Sequence, residues 1–160
     1  MVVFNIVLVA PEIPQNTGTI GRLAVATDAR LHLIEPLGFS LDEKHLRRAG
    51  MDYWRHLDLT VYPNWEDFLS RHPDARLHFF STHGERSYYD VSYQADDYLV
   101  FGRESSGLPA EFYVRYRKQL NLIPMPGRFN RSLNLANSVS IVLYEALRQT
   151  RAEWENPADT

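Results

Sequence analysis

Short apolar runs alternate with helix-forming stretches along almost the whole of this 160-residue chain. The first run, Val2–Val9, is rich in β-branched residues and nearly continuous, a pattern typical of a strand that is buried on both faces of a sheet. The alternation predicts one α/β domain with a largely parallel sheet. On the pattern alone we expect an unknotted, doubly wound sheet, because true knots are nearly absent among protein folds.

The apolar runs and the turn residues between them place the individual elements. Asn16 and Thr17 are expected to cap the first helix, and Asn64 a later one. The last helix is apolar beyond one face, through Leu143 and Leu147 among others, which predicts a second partner that covers it. The predicted strands cover residues 2–9, 31–35, 57–62, 77–81, 98–101 and 120–123, and the predicted helices cover about 16–27, 40–49, 64–72 and 132–153.

Composition narrows the class of protein. An apolar fraction of 44% is ordinary for a globular domain, so residues 1–160 are interpreted as one domain with a flexible tail at 155–160. The absence of cysteine excludes disulfides, zinc ribbons and thiol nucleophiles. No apolar run reaches the length of a membrane span, and the segment Met1–Val9 has neither a basic leader nor a small-residue cleavage site. We therefore expect a cytoplasmic protein.

Positive charge is concentrated locally, although the formal net charge is −3. One basic cluster lies within residues 44–56 and contains Arg47 and Arg48, and a second lies at 115–118. Arg128 and Arg131 flank a predicted loop. A local basic face on an acidic protein can bind phosphates, but solvated helix surfaces carry similar charge runs. Charge alone leaves both interpretations open.

Three segments rich in glycine, proline and small polar residues follow predicted strands. Ligands of open α/β sheets bind beyond the carboxyl ends of the strands, so these segments are the candidate binding loops. The first covers 11–22, where Arg22 lies one turn into a helix whose start could attract a phosphate. An ordinary capped helix with an exposed arginine would have the same sequence.

The second segment, 100–109, has the glycine spacing of a phosphate-binding P-loop, but Leu108 stands where that loop needs lysine. It is not a nucleophile elbow either, because neither Ser105 nor Ser106 has a glycine two residues before it. What remains is a tight turn in which a ligand could approach bare backbone at Gly102 and Gly107, or a plain strand-to-helix connection.

The third segment, 123–138, leaves its strand through two prolines and enters the last helix. We interpret Met125 and Phe129 as loop anchors. The helix start is loaded with more hydrogen-bonding side chains than capping requires. These are Ser132, Asn134, Asn137 and Ser138.

Taken in this order, the segments resemble the motifs of the SPOUT methyltransferases, most closely the small single-domain YibK-like branch that modifies the tRNA wobble position. The resemblance extends over nearly the whole chain, and only the stretch between Ile123 and Ser132 is longer than the family pattern, by one residue. The matching motifs are Pro-Glu-Ile-Pro-Gln-Asn-Thr-Gly at 11–18, Leu-Ile-Glu-Pro-Leu-Gly-Phe at 33–39, Leu-Arg-Arg-Ala-Gly-Met-Asp-Tyr at 46–53, Phe-Gly-Arg-Glu-Ser-Ser-Gly-Leu-Pro at 101–109 and Ser-Leu-Asn-Leu-Ala-Asn-Ser-Val at 132–139.

The resemblance implies a SPOUT α/β-knot, in which a deep trefoil knot in the C-terminal half of a mostly parallel sheet forms a site for S-adenosyl-L-methionine (SAM). It implies transfer of a methyl group from SAM, with no metal, to the ribose 2′-hydroxyl of cytidine or uridine 34 in the tRNA anticodon stem-loop. It also implies a homodimer whose terminal helices pack together. The residues it assigns to the cofactor are Phe80, Gly102, Glu104, Gly107, Ile123, Met125, Ser132 and Leu133.

For catalysis the resemblance assigns Arg22 and Tyr144, and for substrate binding it assigns Asn16, Arg47, Arg48 and Asn137. A guanidinium stays protonated in proteins. We therefore expect Arg22 to hold a phosphate and stabilise developing alkoxide charge, with proton abstraction as the alternative. The alternative functions are methylation of another tRNA or rRNA position, RNA binding without catalysis on the same fold, and nucleotide binding of the flavodoxin type.

Overall fold

The computed structural model describes residues 2–42 and 52–155. Seven strands form one sheet in the order β3-β2-β1-β6-β4-β7-β5, and all the paired strands run parallel. The largely parallel α/β sheet expected from the sequence is confirmed. The strands are β1 Asn5–Val9, β2 Arg30–Ile34, β3 Leu59–Tyr62, β4 Leu77–Phe80, β5 Arg86–Ser87, β6 Tyr98–Phe101 and β7 Leu120–Leu122.

Helices cover both faces of this sheet. On one face, α1 and α4 pack together over a core cluster that includes Ile20 and Val139, and the opposite cluster includes Phe68 of α2 and Phe112 of α3. The helices are α1 Pro14–Thr27, α2 Trp65–Arg71, α3 Phe112–Arg115, α4 Leu135–Gln149 and α5 Arg151–Trp154, with 3-10 turns at Asp52–His56, Tyr88–Asp90 and Arg117–Gln119.

The predicted caps have mixed outcomes. Asn64 caps α2 as expected, because its side chain accepts a hydrogen bond from the Asp67 backbone N–H. Asn16 and Thr17 do not cap α1, which begins earlier, at Pro14. Proline suits the first helical position because its missing N–H would have no partner there. The predicted helix over 40–49 and the tail at 155–160 fall largely outside the described residues.

The last helix also differs from its prediction. It starts at Leu135, after an irregular stretch, because the Asn134 side chain accepts from the Asn137 backbone N–H and caps it. Leu143 was expected to widen the apolar surface for a partner, which is wrong: it is fully buried in the protein's own core. Leu147 is partly buried against the same cluster, whereas Tyr144 is 57% exposed.

A series of hydrogen-bonded polar side chains links Asn5 to Tyr98; its first members are buried and its last two, His72 and Tyr98, are partly buried. The amide nitrogen of Asn5 donates a hydrogen bond to the Asp96 carbonyl. The amide oxygen of Asn5 therefore accepts a hydrogen bond from Nε2 of His32, at 3.0 Å. Nδ1 of His32 then has no proton and accepts from the Tyr62 hydroxyl at 2.8 Å. Tyr62 in turn accepts from Nε2 of His72, whose Nδ1 accepts from Tyr98. Both imidazoles, His32 and His72, are therefore neutral with the proton on Nε2, and this tautomer satisfies every hydrogen bond of the series.

The sheet order brings the three candidate loops together. β6 lies between β1 and β4, so that Phe101 at its end is in register with both Leu8 and Phe80. β7 extends the sheet beyond β4. Because carboxyl ends of parallel strands lie at one edge, the segments that follow β1, β6 and β7 converge there.

Candidate functional site

A cavity of about 760 Å³ opens at the carboxyl edge of the sheet. Its wall is built from the start of α1, the ends of β4 and β6, the loop 102–107 and the segment 123–138. All eight residues that the resemblance assigns to the cofactor line this one cavity: Phe80, Gly102, Glu104, Gly107, Ile123, Met125, Ser132 and Leu133.

The floor of the cavity is aromatic. Phe80 and Phe101 come from neighbouring strand ends, and their rings stack with centroids 5.0 Å apart and an interplanar angle of 19°. Ile123, Met125 and Leu133 add aliphatic surface from the third segment. This surface suits a flat apolar group of a ligand.

The loop after β6 closes on itself, and this closure explains its glycines. Arg103 and Gly107 exchange two backbone hydrogen bonds of 3.0 and 2.9 Å. A Cβ at Gly102 would lie 2.0 Å from the Gly107 carbonyl carbon, and Gly107 itself has a φ of +71°. The sequence had suggested that Gly102 is small so that a ligand can approach. The structure gives a further reason for glycine at position 102, because a side chain at that position would disrupt the loop even without a ligand.

Two carboxylates join this loop to the start of α1. Glu104 accepts hydrogen bonds from the backbone N–H groups of Glu12 and Ile13, at 2.8 and 3.2 Å. Glu12 accepts in return from the hydroxyl and backbone N–H of Ser105, at 2.6 and 3.2 Å. The bonds from Ser105, with Arg103 nearby, hold the pKa of Glu12 below its ordinary value. We call these reciprocal bonds the carboxylate clasp.

Asn16 extends the clasp to the third segment. Its amide nitrogen donates to Glu104 at 3.4 Å, and its oxygen accepts from the Asn134 side chain at 2.9 Å. Asn16 is 8% exposed, so its polar atoms are turned towards other parts of the protein. The structure thus gives Asn16, assigned to the substrate by resemblance, a structural position between all three loops.

The residues assigned to catalysis do not line the cavity of their own chain. Arg22 is exposed on α1, with its guanidinium carbon 6.0 Å from the centre of the Tyr53 ring. The Tyr53 hydroxyl donates to the Gly18 carbonyl at 2.6 Å, and burial raises the pKa of this tyrosine. Tyr144 and Asn137 are exposed on α4 and are also not among the residues that line the cavity. Arg47 and Arg48 fall outside the described residues.

The expectation that Phe129 anchors its loop is wrong. Met125 does contact the cavity, but the Phe129 side chain is 100% exposed. Its neighbours Arg128 and Arg131 are exposed as well, while Asn130 and Ser132 line the cavity. The residue type alone suggested burial, and the backbone course of this loop turns the ring outwards.

Sequence reasoning missed a part of the cavity wall. Tyr113 lines it from the four-residue helix α3, and its hydroxyl lies 3.0 Å from Oγ of Ser81 at the end of β4. The ring of His83 packs edge-on against Tyr113. A helix this short has no periodicity to detect, which is why Tyr113 gave no signal.

The described ranges 2–42 and 52–155 hold no group of three histidine, aspartate or glutamate side chains placed to ligate a metal ion. Within the same residues, no helix is long and apolar enough to cross a membrane.

The sequence is similar to a known protein family and to proteins with a named activity. Residues 3–144 match the model of the SpoU rRNA Methylase family. A protein of Burkholderia ambifaria named tRNA (cytidine(34)-2′-O)-methyltransferase is 47% identical over 154 residues, which cover 94% of this chain and 97% of the relative. A relative of the same name from Saccharophagus degradans is 47% identical over 91% of this chain and 95% of its own length.

Solved structures agree in fold. A putative RNA methyltransferase of Bacillus anthracis superposes with a TM-score of 0.89 at 44% identity, over 92% of this chain and 94% of its own. A structure described as giving insights into the 2-OH methylation of C/U34 on tRNA has a TM-score of 0.86 at 47% identity, over 94% and 98%. The methyltransferase AviRb of Streptomyces viridochromogenes, in complex with AdoMet, has a TM-score of 0.78 at 26% identity, over 92% of this chain and 58% of AviRb.

Proposed function

The chain belongs to the SpoU rRNA Methylase family, and we propose that it transfers a methyl group from SAM to the ribose 2′-hydroxyl of nucleotide 34 in tRNA. The observation that carries this proposal is the 47% identity, over almost the full length of both chains, to relatives named for that reaction. The SPOUT type of fold follows from the family, and the trefoil knot is part of the proposal.

The cavity suits SAM in size and in chemistry. Its volume of about 760 Å³ falls in the range of about 300–1,000 Å³ that is usual for small-molecule sites. The stacked Phe80 and Phe101 offer an apolar surface for a purine, and the backbone of the loop 102–107 offers polar groups beside it. Bound SAM would supply an electrophilic methyl group on a sulfonium.

Within this reaction the chain's task is positioning. Holding reactants in line is worth up to about 7–11 kcal/mol of the barrier. Arg22 is suited to hold the RNA, because its guanidinium makes no hydrogen bond or ion pair with the part of the chain that the structure describes. A guanidinium fork binds a phosphate through two hydrogen bonds and stays protonated, so the proton of the hydroxyl would pass to water and not to Arg22.

A homodimer fits the location of the catalytic candidates. Arg22 and Tyr144 lie outside the cavity of their own chain. We infer that a second copy, packed against the exposed side of α4, brings such residues to the cavity. The exposed rings of Tyr144 and Trp154 are available for this contact.

The family description names rRNA, which makes an rRNA position the second candidate substrate. An AdoMet-bound rRNA methyltransferase of Sinorhizobium meliloti shares the fold at 30% identity, but this chain covers only 56% of it. The tRNA-named relatives match in length, which favours tRNA and, with it, the anticodon stem-loop and a place in the cytoplasm.

Methylation of defined RNAs tests the proposal. The purified protein, given labelled SAM, is expected to methylate unmodified tRNA with C or U at position 34. The same tRNA carrying a 2′-deoxy or 2′-O-methyl ribose at that nucleotide should accept no label. Equal labelling of the blocked tRNA, or labelling confined to rRNA, would refute the assigned position.

A further inference from the structure

Phe129 is the most exposed large apolar side chain among the described residues. Single exposed apolar residues are common and by themselves indicate nothing. The location of Phe129 is informative, because its neighbours in sequence either line the cavity or point into the solvent. Asn130 and Ser132 line the cavity, so the Phe129 ring stands at its rim.

The sequence on both sides of Phe129 carries positive charge. Arg128 and Arg131 are both exposed, and neither makes a hydrogen bond or an ion pair with residues 2–42 or 52–155. No acidic residue occurs between Glu111 and Glu145. The rim therefore presents one aromatic face between two exposed guanidinium groups.

We propose that Phe129 stacks on an unpaired nucleobase next to the nucleotide whose ribose enters the cavity, while Arg128 and Arg131 contact the flanking phosphates. The inference rests on the proposed function. Proteins read single-stranded RNA loops by stacking splayed bases on aromatic side chains, with cations along the backbone.

A subunit contact is the competing use of an exposed ring. Aromatic residues and arginine are both enriched in protein interfaces, so these residue types alone fit either use. The position of Phe129 beside cavity-lining residues favours RNA, and a dimer contact is an outcome that the test below detects.

The test compares Phe129→Leu, which keeps an apolar side chain but loses the aromatic face, with Phe129→Trp, which keeps the face. The probe is an anticodon stem-loop RNA with 2-aminopurine beside nucleotide 34. Phe129→Leu is expected to raise the Kd for this RNA by at least about fivefold, as the loss of one base–aromatic stack would, and to reduce quenching of the 2-aminopurine. Phe129→Trp should restore both, and SAM affinity should not change in either variant.

Tyr89→Leu is the matched control, since Tyr89 is an exposed aromatic residue that does not line the cavity. It should bind the RNA like the wild type. Replacing Arg128 and Arg131 together with alanine should reduce the slope of log K against log salt by about 2.

Two outcomes would overturn the inference: wild-type RNA affinity and quenching in Phe129→Leu, or a shift of that variant from dimer to monomer in sedimentation. If the wild type methylates position 34 while Phe129→Leu behaves normally, only this inference fails. If the wild type methylates no tRNA, the proposed function fails first.

Discussion

Arg22 is exposed, its guanidinium lies 6.0 Å from the centre of the Tyr53 ring, and it does not line the cavity. This arrangement suits a residue that meets the RNA and not the cofactor. If Arg22 contacts the RNA, it should stabilise the transition state of methyl transfer and contribute almost nothing to the affinity for SAM.

Arg22→Ala is therefore expected to lower methylation at least about a hundredfold while SAM affinity stays nearly unchanged. Arg22→Lys should be almost as poor, because lysine keeps the charge but lacks the planar fork. Arg71→Lys is the control, since Arg71 also lies over a tyrosine ring but belongs to α2. Calorimetry with SAM and a tRNA methylation assay separate the two effects. A loss of SAM binding in Arg22→Ala would contradict this division of roles.

His32 makes the protein sensitive to acid. Burial, with the charges of His72 and Arg30, lowers the pKa of His32 to about 4 in the folded protein, against about 6.5 in the unfolded chain. Between these values the unfolded chain binds a proton that the folded protein does not bind. The contribution of His32 to folding stability is therefore complete above about pH 6.5 and is lost as the pH falls towards 4.

We expect the free energy of unfolding to fall by about 2 kcal/mol between pH 7 and pH 5 from this residue. Urea denaturation at both pH values measures the change. His32→Gln should remove most of the difference, and His83→Gln, at an exposed position, should leave it intact. Equal pH dependence in the two variants would assign the effect to other groups.

At the scale of the elements, the carboxylate clasp holds the start of α1 against the loop after β6. Glutamine in place of Glu104 would turn an amide N–H towards a backbone N–H that now donates to a carboxylate. Hydrogen bonds to a charged group contribute about 1.5–3 kcal/mol each, although partial exposure reduces this here.

Glu104→Gln is accordingly expected to lower the free energy of unfolding by about 1–2 kcal/mol and to weaken SAM binding severalfold. Glu85→Gln, on an exposed loop outside the cavity, is the control. Thermal denaturation and SAM titration of both variants check it. Wild-type behaviour in Glu104→Gln would mean that the clasp does not hold the cavity in shape.

The elements that sequence predicted best are those with strong local signals. The strand at 98–101 and the Asn64 cap of α2 were predicted at their observed positions. Strand order was not predictable, because an apolar run shows that a strand is buried but not which strand pairs with it. The carboxylate clasp was not predictable either, because it joins Glu12 to Ser105, which are 93 residues apart in the sequence. The cavity-lining residues were located through family resemblance, and their contact with SAM stays a prediction.

At the scale of the whole molecule, the exposed side of α4 is the expected dimer surface. The prediction made for Leu143 no longer applies, since that residue is buried in the core. Tyr144 is the better probe, because its exposure means that a substitution should leave the protomer folded.

Sedimentation at micromolar concentration should give about twice the mass of one 18.6 kDa chain. Tyr144→Glu should shift this equilibrium towards the monomer, because a carboxylate in an apolar contact loses its hydration. Glu153→Gln, on the short helix α5, serves as the control. A wild type that remains monomeric would refute the dimer, and a fully dimeric Tyr144→Glu would place the contact elsewhere.

The bonds of Asn16 also determine when the site can exist during synthesis. Asn16 accepts a hydrogen bond from Asn134, which lies 118 residues later in the sequence, so the start of α1 gains this bond only after residue 134 has been synthesised. A nascent chain that ends after residue 107 has β6 and the loop 102–107 but lacks the segment 123–138. Chains that lack the segment 123–138 should therefore not bind SAM at all, and the cofactor site should form only once that segment has been synthesised.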